Sequence, residues 1–506
     1  MYLFALCKTG FAKHYAKQLS WVKREAYRSI NMKPLFLNPP TFEDFDGGAG
    51  ARYQASREVT SFWYPTWLCY PAGMIEGSRV VDAPVQKLDL DACIRIAADY
   101  DMVVMYTSTP TFALDVETAR RIKESKPGTV TVLTGPHVSV LPDESLQRAG
   151  GAIDIVCRGE FDYSVKELAE GRDWGNVVGI SFMKDGTVVS NPDRPPITDL
   201  DALPFASQVY QRDLAINEYI IPHFKHPYVS IYTSRGCPAR CVFCLWPQTF
   251  SGRTMRTRSA ESVYQEVKWI KENMPGLKEI SFDDDTFTAN REHARAVAEK
   301  IRPLGLSWVV NARANCDYET LKIMRNAGLR HVVVGYESGS DQILKNIKKG
   351  VTRPQAEEFT RNCKKLGITI HGAFIMGLPG ETRETIRETI EYAKRLDLDS
   401  IQVSLASPYP GTEFYELCKK EGWLVSDTFL DDTGHQDCVI NYPHLSNREI
   451  FDSVETFYNK FYFRPRYIAR SIMKMITSSE DRRKLLKEGA QYLAYMKKRK
   501  ECKSCQ

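Results

Sequence analysis

The chain of 506 residues is too long for one ordinary domain, so two or three domains are expected. Its composition, 43% apolar and 26% charged, is that of a globular protein in water, and a net charge of +5 does not favour nucleic acid as a partner. The sequence contains no run of 18 apolar residues, so no transmembrane helix is predicted. Thirteen cysteines without a disulfide-like framework, and no export signal, favour reduced thiols or metal binding and a cytoplasmic location.

Residues 1–31 differ in composition from the segment that follows them. They are basic, whereas Met32 opens an apolar run, MKPLFLNPP, that predicts the first strand of an α/β domain. Two interpretations remain open for this N-terminal extension. Either translation starts at Met32, or the extension is an amphipathic helix packed on the domain.

Short apolar runs alternate with helical patterns between residues 32 and 195. Parallel strands are predicted at SRVVDAP, MVVMYTSTP, TVTVLTGP and IDIVCRGE, and this alternation indicates a doubly wound sheet of the Rossmann type. The Asp185-Gly186 turn predicts a closing hairpin. The proline- and aspartate-rich string NPDRPPITDLDALP leads into a predicted linker over residues 196–226.

A second α/β pattern covers residues 227–425. Its six strand–helix units predict a partial (βα)6 barrel, with strands at YVSIYTS, LKEISFDDD, SWVVNAR, HVVVGYES, ITIHGAFIMG and SIQVSLASP. Residues 426–506 are aromatic and basic and are predicted to be helical. The sequence therefore predicts an α/β protein with two domains and a helical C-terminal region.

Three cysteines follow the first predicted barrel strand at the spacing C-x3-C-x2-C: Cys237, Cys241 and Cys244. Chance gives only about 0.01 such triplets in a chain of this composition. Zinc sites usually need four ligands in two pairs, and no second pair lies nearby. Three thiolates on one loop can bind three irons of a [4Fe–4S] cluster and leave the fourth iron open to a chelating ligand.

The string RGCPARCVFCLWPQTF resembles the cluster motif of the radical S-adenosylmethionine (SAM) superfamily. The resemblance implies that the amino and carboxylate groups of SAM bind the open iron, and that the reduced cluster cleaves SAM to a 5′-deoxyadenosyl radical. Phe243 matches the aromatic position that shields the cluster and the adenine. An electron donor such as flavodoxin or ferredoxin is also implied.

Polar residues gather at the carboxyl ends of the predicted barrel strands, where barrel enzymes place their chemistry. Asp284, Asp285 and Glu337 are the candidate catalytic residues, although one carboxylate of the Asp283–Asp285 run is expected to be a helix cap. By resemblance, Glu337 faces the ribose or the methionyl end of SAM, and HGAFIMGLPGE matches the family's adenine-contacting segment. The candidate cofactor-binding residues at these strand ends are Asn311, Arg313, Ser338, Ile375 and Gly377.

The domain order resembles that of the cobalamin-binding subfamily of radical SAM enzymes. The resemblance implies that cobalamin lies at the carboxyl edge of the first sheet, where small residues let a planar ring approach the backbone. The D-x-H-x-x-G motif is absent, so cobalt would lack a lower histidine ligand; His137 is either a ligand or a hydrogen-bonding residue. A vestigial domain that binds no cobalamin is the alternative. The candidate residues are Thr107, Ser108, Gly135, His137, Ser139, Gly159 and Glu160.

Several long strings resemble a narrower, hopanoid-biosynthesis group of radical SAM proteins, among them FDDDTFT, VGYESGSDQILKNIKKG and IQVSLASPYPGTE. That resemblance implies a radical ring contraction, in which bacteriohopanetetrol glucosamine becomes bacteriohopanetetrol cyclitol ether. A cobalamin-dependent radical SAM methyltransferase acting on a lipid or secondary metabolite is the alternative enzyme. A sensor without catalytic activity is the third hypothesis.

A hopanoid substrate implies contact with a membrane, at its inner face for a cytoplasmic protein. Residues 464–500 carry twelve Lys and Arg against three acidic residues, with apolar residues between them. Such a tail can bind anionic head groups. The alternative is a solvated, charged helix packed on the barrel.

Overall fold

The computed structural model describes residues 31–40, 59–431 and 434–503. The predictions for the N-terminal extension fall almost wholly on residues 1–30, which lie outside the described residues. No helix in the described part of the chain is long and apolar enough to cross a membrane.

The first domain is built on a seven-stranded sheet in the order β2-β1-β3-β4-β5-β6-β7. Strands β1 to β5 are parallel, and β6 and β7 form the antiparallel hairpin predicted from Asp185 and Gly186, which both have positive φ. The doubly wound sheet is thus confirmed. The strands are β1 Pro34–Asn38, β2 Arg79–Asp82, β3 Met102–Tyr106, β4 Val130–Thr134, β5 Ile155–Cys157, β6 Ile180–Lys184 and β7 Thr187–Ser190.

Helices cover both faces of this sheet, because alternate residues of each strand point to opposite sides. Val103 and Met105 pack in one core with the flanking helices, whereas Met102 and Val104 join a second core that continues into the barrel. The helices are α1 Thr66–Met74, α2 Ala83–Gln86, α3 Leu90–Ala97, α4 Phe112–Ser125, α5 Pro136–Val140, α6 Pro142–Ala149 and α7 Asp162–Ala169.

The predicted linker, residues 196–226, is packed between the two sheets. It contains α8, Ala206–Asp213, whose Tyr210 is fully buried and donates a hydrogen bond to the carbonyl of Ser230 in the barrel. Tyr219 reaches the other way and donates to the carboxylate of Asp82. The composition did not indicate this, since the apolar residues are scattered among prolines and aspartates.

The second domain is a six-stranded parallel sheet in the order β15-β14-β13-β12-β11-β8, which confirms the partial barrel. A short ribbon of β9, Ser234–Arg235, and β10, Arg256–Thr257, follows the first barrel strand. The barrel strands are β8 Tyr228–Ile231, β11 Glu279–Phe282, β12 Trp308–Ala312, β13 Leu329–Glu337, β14 Thr369–Met376 and β15 Ser400–Leu405.

Helices follow the barrel strands and close one edge of the sheet. The hydroxyl groups of Tyr458 and Tyr462 accept hydrogen bonds from the amides of Val403 and Ile401, so the edge strand β15 does not present open backbone there. The helices are α9 Leu245–Thr249, α10 Ala260–Asn273, α11 Arg291–Ile301, α12 Tyr318–Asn326, α13 Asp341–Asn346, α14 Arg353–Lys365, α15 Arg383–Leu396, α16 Glu413–Lys420, α17 Asn447–Tyr462, α18 Pro465–Thr477 and α19 Ser479–Lys503.

Candidate active site at the carboxyl ends of the barrel strands

The cysteine loop begins directly after the short strand β9. Gly236 has φ +87°, and a Cβ there would lie 2.4 Å from the carbonyl oxygen of Thr254, so only glycine fits. The amide of Cys237 donates to the carbonyl of Gly252, and the amide of Cys244 donates to the carbonyl of Cys241. The backbone of the loop is therefore fixed by its own hydrogen bonds.

Cys237, Cys241 and Cys244 line one cavity of about 210 Å³. Burial, and then the nearby Cys241, raises the pKa of the Cys244 thiol. Within the described ranges, no three His, Cys, Asp or Glu side chains converge closely enough to bind one metal ion. A cubane does not need such convergence, because each thiolate binds a different iron, and three soft sulfur donors on one loop fit that cluster. A bound cluster supplies the electron that cleaves SAM.

The wall of the same cavity also carries a buried ion pair. The Nζ of Lys349 lies 2.7 Å from Oε1 of Glu337, and each side chain is about 9% exposed. Glu337 has φ +63° at an irregularity of β13. A Cβ on Gly335 would lie 2.1 Å from the Glu337 carboxylate, so this glycine leaves the space for the pair. Backbone irregularity and a missing side chain together direct both charges into the cavity.

The rest of the cavity wall combines apolar residues with a few polar side chains, which are held by hydrogen bonds. Arg313 is oriented by a hydrogen bond to the carbonyl of Lys349, and Asn311 by a bond of 2.9 Å to the carboxylate of Asp283. Asp285 accepts a hydrogen bond of 2.9 Å from Ser251. Lys349 was not predicted as a site residue, because it resembles a surface lysine in its charged string. The lining residues outside the predicted set are Ala239, Trp246, Pro247, Thr286, Ala312, Val333, Gly335 and Lys349.

Asp284 does not line this cavity. It is fully buried and accepts hydrogen bonds from the amides of Thr233, at 2.6 Å, and Ser234, at 2.9 Å. Its carboxylate therefore fixes the backbone just before the cysteine loop. This arrangement gives Asp284 a positioning role, whereas the catalytic role expected from the sequence stays a prediction.

Ser338, Ile375 and Gly377 lie away from the cavity wall. The Ser338 hydroxyl is fully buried, 3.1 Å from the hydroxyl of Thr389. The amide of Gly377 donates to the buried carboxylate of Glu381, and a Cβ on Gly377 would lie 2.9 Å from Ile450. Ile375 is a half-buried residue packed against the main core. Phe243, in contrast, lines the cavity beside the cysteines.

The carboxyl edge of the first sheet is made of small residues bonded to each other. Gly135 has φ +114°, and a Cβ there would lie 2.4 Å from the carbonyl oxygen of Thr107. Ser139 donates to the carbonyl of Gly135 and accepts from the amide of Gly159. Ser108 is fully buried and lies 3.0 Å from the hydroxyl of Thr111.

A cobalamin ring fits the character of this edge. Small residues leave the backbone accessible to a planar ring. At the end of β4 the hydroxyl oxygen of Thr134 is buried and has no hydrogen-bond partner within the described structure. Buried polar atoms are normally paired, so a group that supplies the missing partner is expected here.

His137 lies at the same edge, but its ring is already engaged. Its Nδ1 is 3.2 Å from the hydroxyl of Thr109, and its ring centroid is 4.6 Å from that of Phe112. Burial lowers the pKa of His137 to about 4, so the ring is neutral at pH 7. The geometry favours a hydrogen-bonding histidine.

The carboxylate of Glu160 faces residues of the barrel. It lies 2.6 Å from Arg256, and Arg235 binds the neighbouring Asp162 at 2.8 Å. The side chains of Glu160, Asp162 and Arg235 are almost completely buried. These pairs join the first domain to the residues that precede Gly236 and the cysteine loop, and cofactor binding by Glu160 stays a prediction.

Comparisons with known families agree with both halves of this arrangement. The model described as "Radical SAM superfamily" matches residues 231–393, and the "B12 binding domain" matches residues 55–169. An uncharacterized methyltransferase of Pyrococcus horikoshii is 32% identical over 455 residues, which cover 88% of this chain and 95% of that protein. The chain belongs to the radical SAM superfamily, in the group that carries a B12-binding domain. Its cofactors are a [4Fe–4S] cluster, SAM and cobalamin.

Other relatives differ in the reactions that their names state. An anaerobic magnesium-protoporphyrin IX monomethyl ester cyclase of Rubrivivax gelatinosus is 28% identical over 90% of this chain and 81% of its own length. A hopanoid C-3 methylase of Methylococcus capsulatus is 27% identical over 59% of this chain and 56% of its own length. The solved structure of OxsB, a cobalamin-dependent SAM radical enzyme, has the same fold, with a TM-score of 0.66 at 16% identity over 94% of this chain and 72% of that chain.

Proposed function

We propose that this radical SAM enzyme contracts the sugar ring of a hopanoid head group, converting bacteriohopanetetrol glucosamine to bacteriohopanetetrol cyclitol ether. The observation that carries the proposal is the cavity beside the three cysteines, whose wall includes charged and amide side chains among apolar ones. The substrate comes from the resemblance of long strings to hopanoid-biosynthesis proteins, such as VGYESGSDQILKNIKKG, which contains both Glu337 and Lys349.

The cavity wall has the chemistry that a sugar needs. Carboxylates at Asp285 and Glu337 can accept hydrogen bonds from hydroxyl groups, and Arg313 and Lys349 can donate. A carbon radical must be kept from water and other quenchers while it rearranges, and the apolar part of the cavity wall supports that protection. The residues of this wall thus bind and orient a substrate, and no side-chain acid or base could take hydrogen from an unactivated sugar carbon.

The test is product analysis with the reduced enzyme, SAM and glucosaminyl bacteriohopanetetrol. The expected lipid product has the same carbon count as the substrate and no added methyl group, and 5′-deoxyadenosine forms alongside it. A reaction without the glucosaminyl lipid controls for SAM cleavage that is uncoupled from the substrate. If SAM is cleaved but the lipid is unchanged, the radical chemistry stands and the proposed substrate is wrong.

The second candidate is methyl transfer by a cobalamin-dependent radical SAM methyltransferase acting on a lipid. The names of the relatives favour it over ring contraction, since one is a methyltransferase and another is a hopanoid methylase. One relative is named a cyclase, so the names of the relatives are not limited to methyl transfer. Methyl transfer predicts S-adenosylhomocysteine and a lipid product heavier by one methyl group, which the same assay detects.

An electron donor such as flavodoxin or ferredoxin is part of this proposal, because the cluster must be reduced before SAM is cleaved. Replacing a chemical reductant by each protein in the same assay tests the donor. If no product forms with either protein, this class of partner is wrong.

A further inference from the structure

Helices α18 and α19, residues 465–503, form a C-terminal hairpin whose inner side is fixed to the barrel by polar contacts. The carboxylate of Asp397, at the end of α15, lies 3.1 Å from Arg464 and 3.4 Å from Arg470. Arg470 also donates to the carbonyl of Leu398, and Tyr467 to that of Asp399. The side of α18 that faces the barrel is therefore polar and occupied.

The outer side of the hairpin is apolar, which reverses the usual arrangement of a surface helix. Ile468, Ile472 and Ile476 follow each other at a spacing of four residues, so they form one row along α18. They are 40%, 46% and 73% exposed, and Met473 beside them is 61% exposed. The row belongs to a larger set of exposed apolar side chains in this region: Phe463, Ile468, Ile472, Met473, Ile476, Leu486 and Leu493.

Basic residues accompany this apolar face. Exposed Lys and Arg side chains of the hairpin include Lys474, Arg482, Arg483 and Lys487. The acidic Glu488 is half-buried and lies 4.0 Å from Lys484. Over residues 464–500 the sequence carries twelve basic and three acidic residues, a net charge of about +9.

The hairpin lies along the flank of the barrel. Its beginning is bound to Asp397 and Asp399, just before β15, whereas the ring of Tyr495 near its end is 5.2 Å from that of His435. Gln436, which follows His435 in the chain, donates a hydrogen bond to the carbonyl of Leu405 at the carboxyl end of β15. The hairpin thus extends from the amino end of β15 toward the end where the cavity lies.

We propose that the outer face of the C-terminal hairpin docks the protein on a membrane that contains anionic lipids. Apolar side chains at 468, 472, 473 and 476 would enter the head-group region, while the surrounding Lys and Arg bind lipid phosphates. Charge argues against the other occupants. A second copy would bring an equally basic face, and residues 1–31 of this chain are basic as well. The proposal goes beyond the reaction and does not depend on which lipid is the substrate.

Co-sedimentation of the full-length holoenzyme with vesicles tests this surface. Binding is expected to vesicles of phosphatidylcholine with 30% phosphatidylglycerol, to be weak on pure phosphatidylcholine, and to fall as salt is raised. The double variant Ile472→Ser, Ile476→Ser and the triple variant Arg482→Gln, Arg483→Gln, Lys487→Gln should each lower binding by about tenfold or more. Iron content and SAM cleavage should remain at the wild-type level in both.

Matched controls change exposed residues elsewhere. Leu114→Ser with Val425→Ser removes apolar side chains that are 38% and 53% exposed, and Lys268→Gln with Lys322→Gln removes charges on other helices. Vesicle binding should be unchanged in both controls.

Equal binding to charged and uncharged vesicles would overturn the proposal, as would hairpin variants that bind like the wild type. A dimer that dissociates in the Ile472→Ser, Ile476→Ser variant would assign the face to a second copy instead. Failure of the lipid reaction with vesicle binding intact would concern the proposed function alone.

Discussion

The carboxyl edges of the two sheets are built from opposite kinds of residue. The barrel edge presents charged and amide side chains, including Glu337, Lys349 and Arg313, around a cavity that also contains three thiols. The edge of the first sheet presents Thr107, Gly135 and other small residues, tied to each other by hydrogen bonds. The first arrangement orients side chains toward a ligand, and the second clears side chains away from the backbone.

This difference shows how one chain divides three cofactors between its two domains. A cluster and SAM need specific donor atoms, which only side chains such as those of the cysteines supply. A large planar cofactor needs a surface that its ring can approach, which glycine and threonine supply by being small. Substitutions at the barrel edge should therefore act through chemistry, and those at the first edge should act through shape.

The largest expected effect is the loss of the cluster. In the triple variant Cys237→Ala, Cys241→Ala, Cys244→Ala, the iron content of anaerobically purified protein should fall from about four per chain to almost none. SAM cleavage should disappear with it, while cobalamin uptake remains. The matched control replaces three other buried cysteines of the barrel side, Cys316, Cys363 and Cys418, by alanine. A full iron complement in the first variant, or its loss in the control, would remove the assignment.

The next effect concerns the buried pair in the cavity. Lys349→Met leaves the Glu337 carboxylate without its partner, which should lower the free energy of unfolding by about 3 kcal/mol and reduce SAM cleavage strongly. Lys348→Met is the control, because Lys348 is half exposed and pairs with exposed Glu413. The double variant Glu337→Gln, Lys349→Met should regain stability without regaining activity. Recovery of both would mean that the pair is only structural.

A smaller, localised effect is expected at Gly135. Gly135→Ala forces a Cβ against the Thr107 carbonyl at a φ of +114°, which should cost on the order of 3 kcal/mol in the first domain. Cobalamin uptake should fall while iron content stays at the wild-type level. Gly150→Ala is the control. Gly150 also has a positive φ, +58°, but a Cβ there meets no other atom, so this variant measures backbone strain without a steric collision. Iron loss equal to cobalamin loss in Gly135→Ala would contradict separate sites.

The smallest effect is expected at His137. If no protein histidine binds cobalt, the electron paramagnetic resonance spectrum of the Co(II) state should lack nitrogen splitting from the protein and be the same in His137→Ala. The same variant tests a pH dependence. Burial holds the pKa of His137 near 4, below its ordinary 6.5, so its contribution to stability is lost as pH falls from about 6.5 to about 4. Acid unfolding of His137→Ala should therefore begin at lower pH. His293→Ala should act in the same direction, because burial also lowers the pKa of His293 to about 4. A splitting that vanishes in the variant would make His137 a ligand.

The sequence by itself determined the features that depend on neighbours in the chain. Cys237, Cys241 and Cys244 lie within eight residues of each other. This set of thiolate donors is therefore local, and the sequence alone predicts it. The alternation of apolar runs with helical patterns fixed both sheets, because burial on two faces demands continuous apolar strands. The turn at Asp185-Gly186 needs positive φ at two positions, which is again a local requirement.

Only the tertiary structure decided which polar residues meet. Asp284 and Asp285 are adjacent and chemically identical. Asp284 accepts hydrogen bonds from the amides of Thr233 and Ser234, whereas Asp285 lines the cavity. Glu160 meets Arg256 across 96 positions of chain, and Lys349 meets Glu337 through an irregular strand end. On α18, pattern alone would bury the isoleucine row, but Asp397 binds the opposite face. Such pairings depend on charges brought together by folding, and no local pattern encodes them.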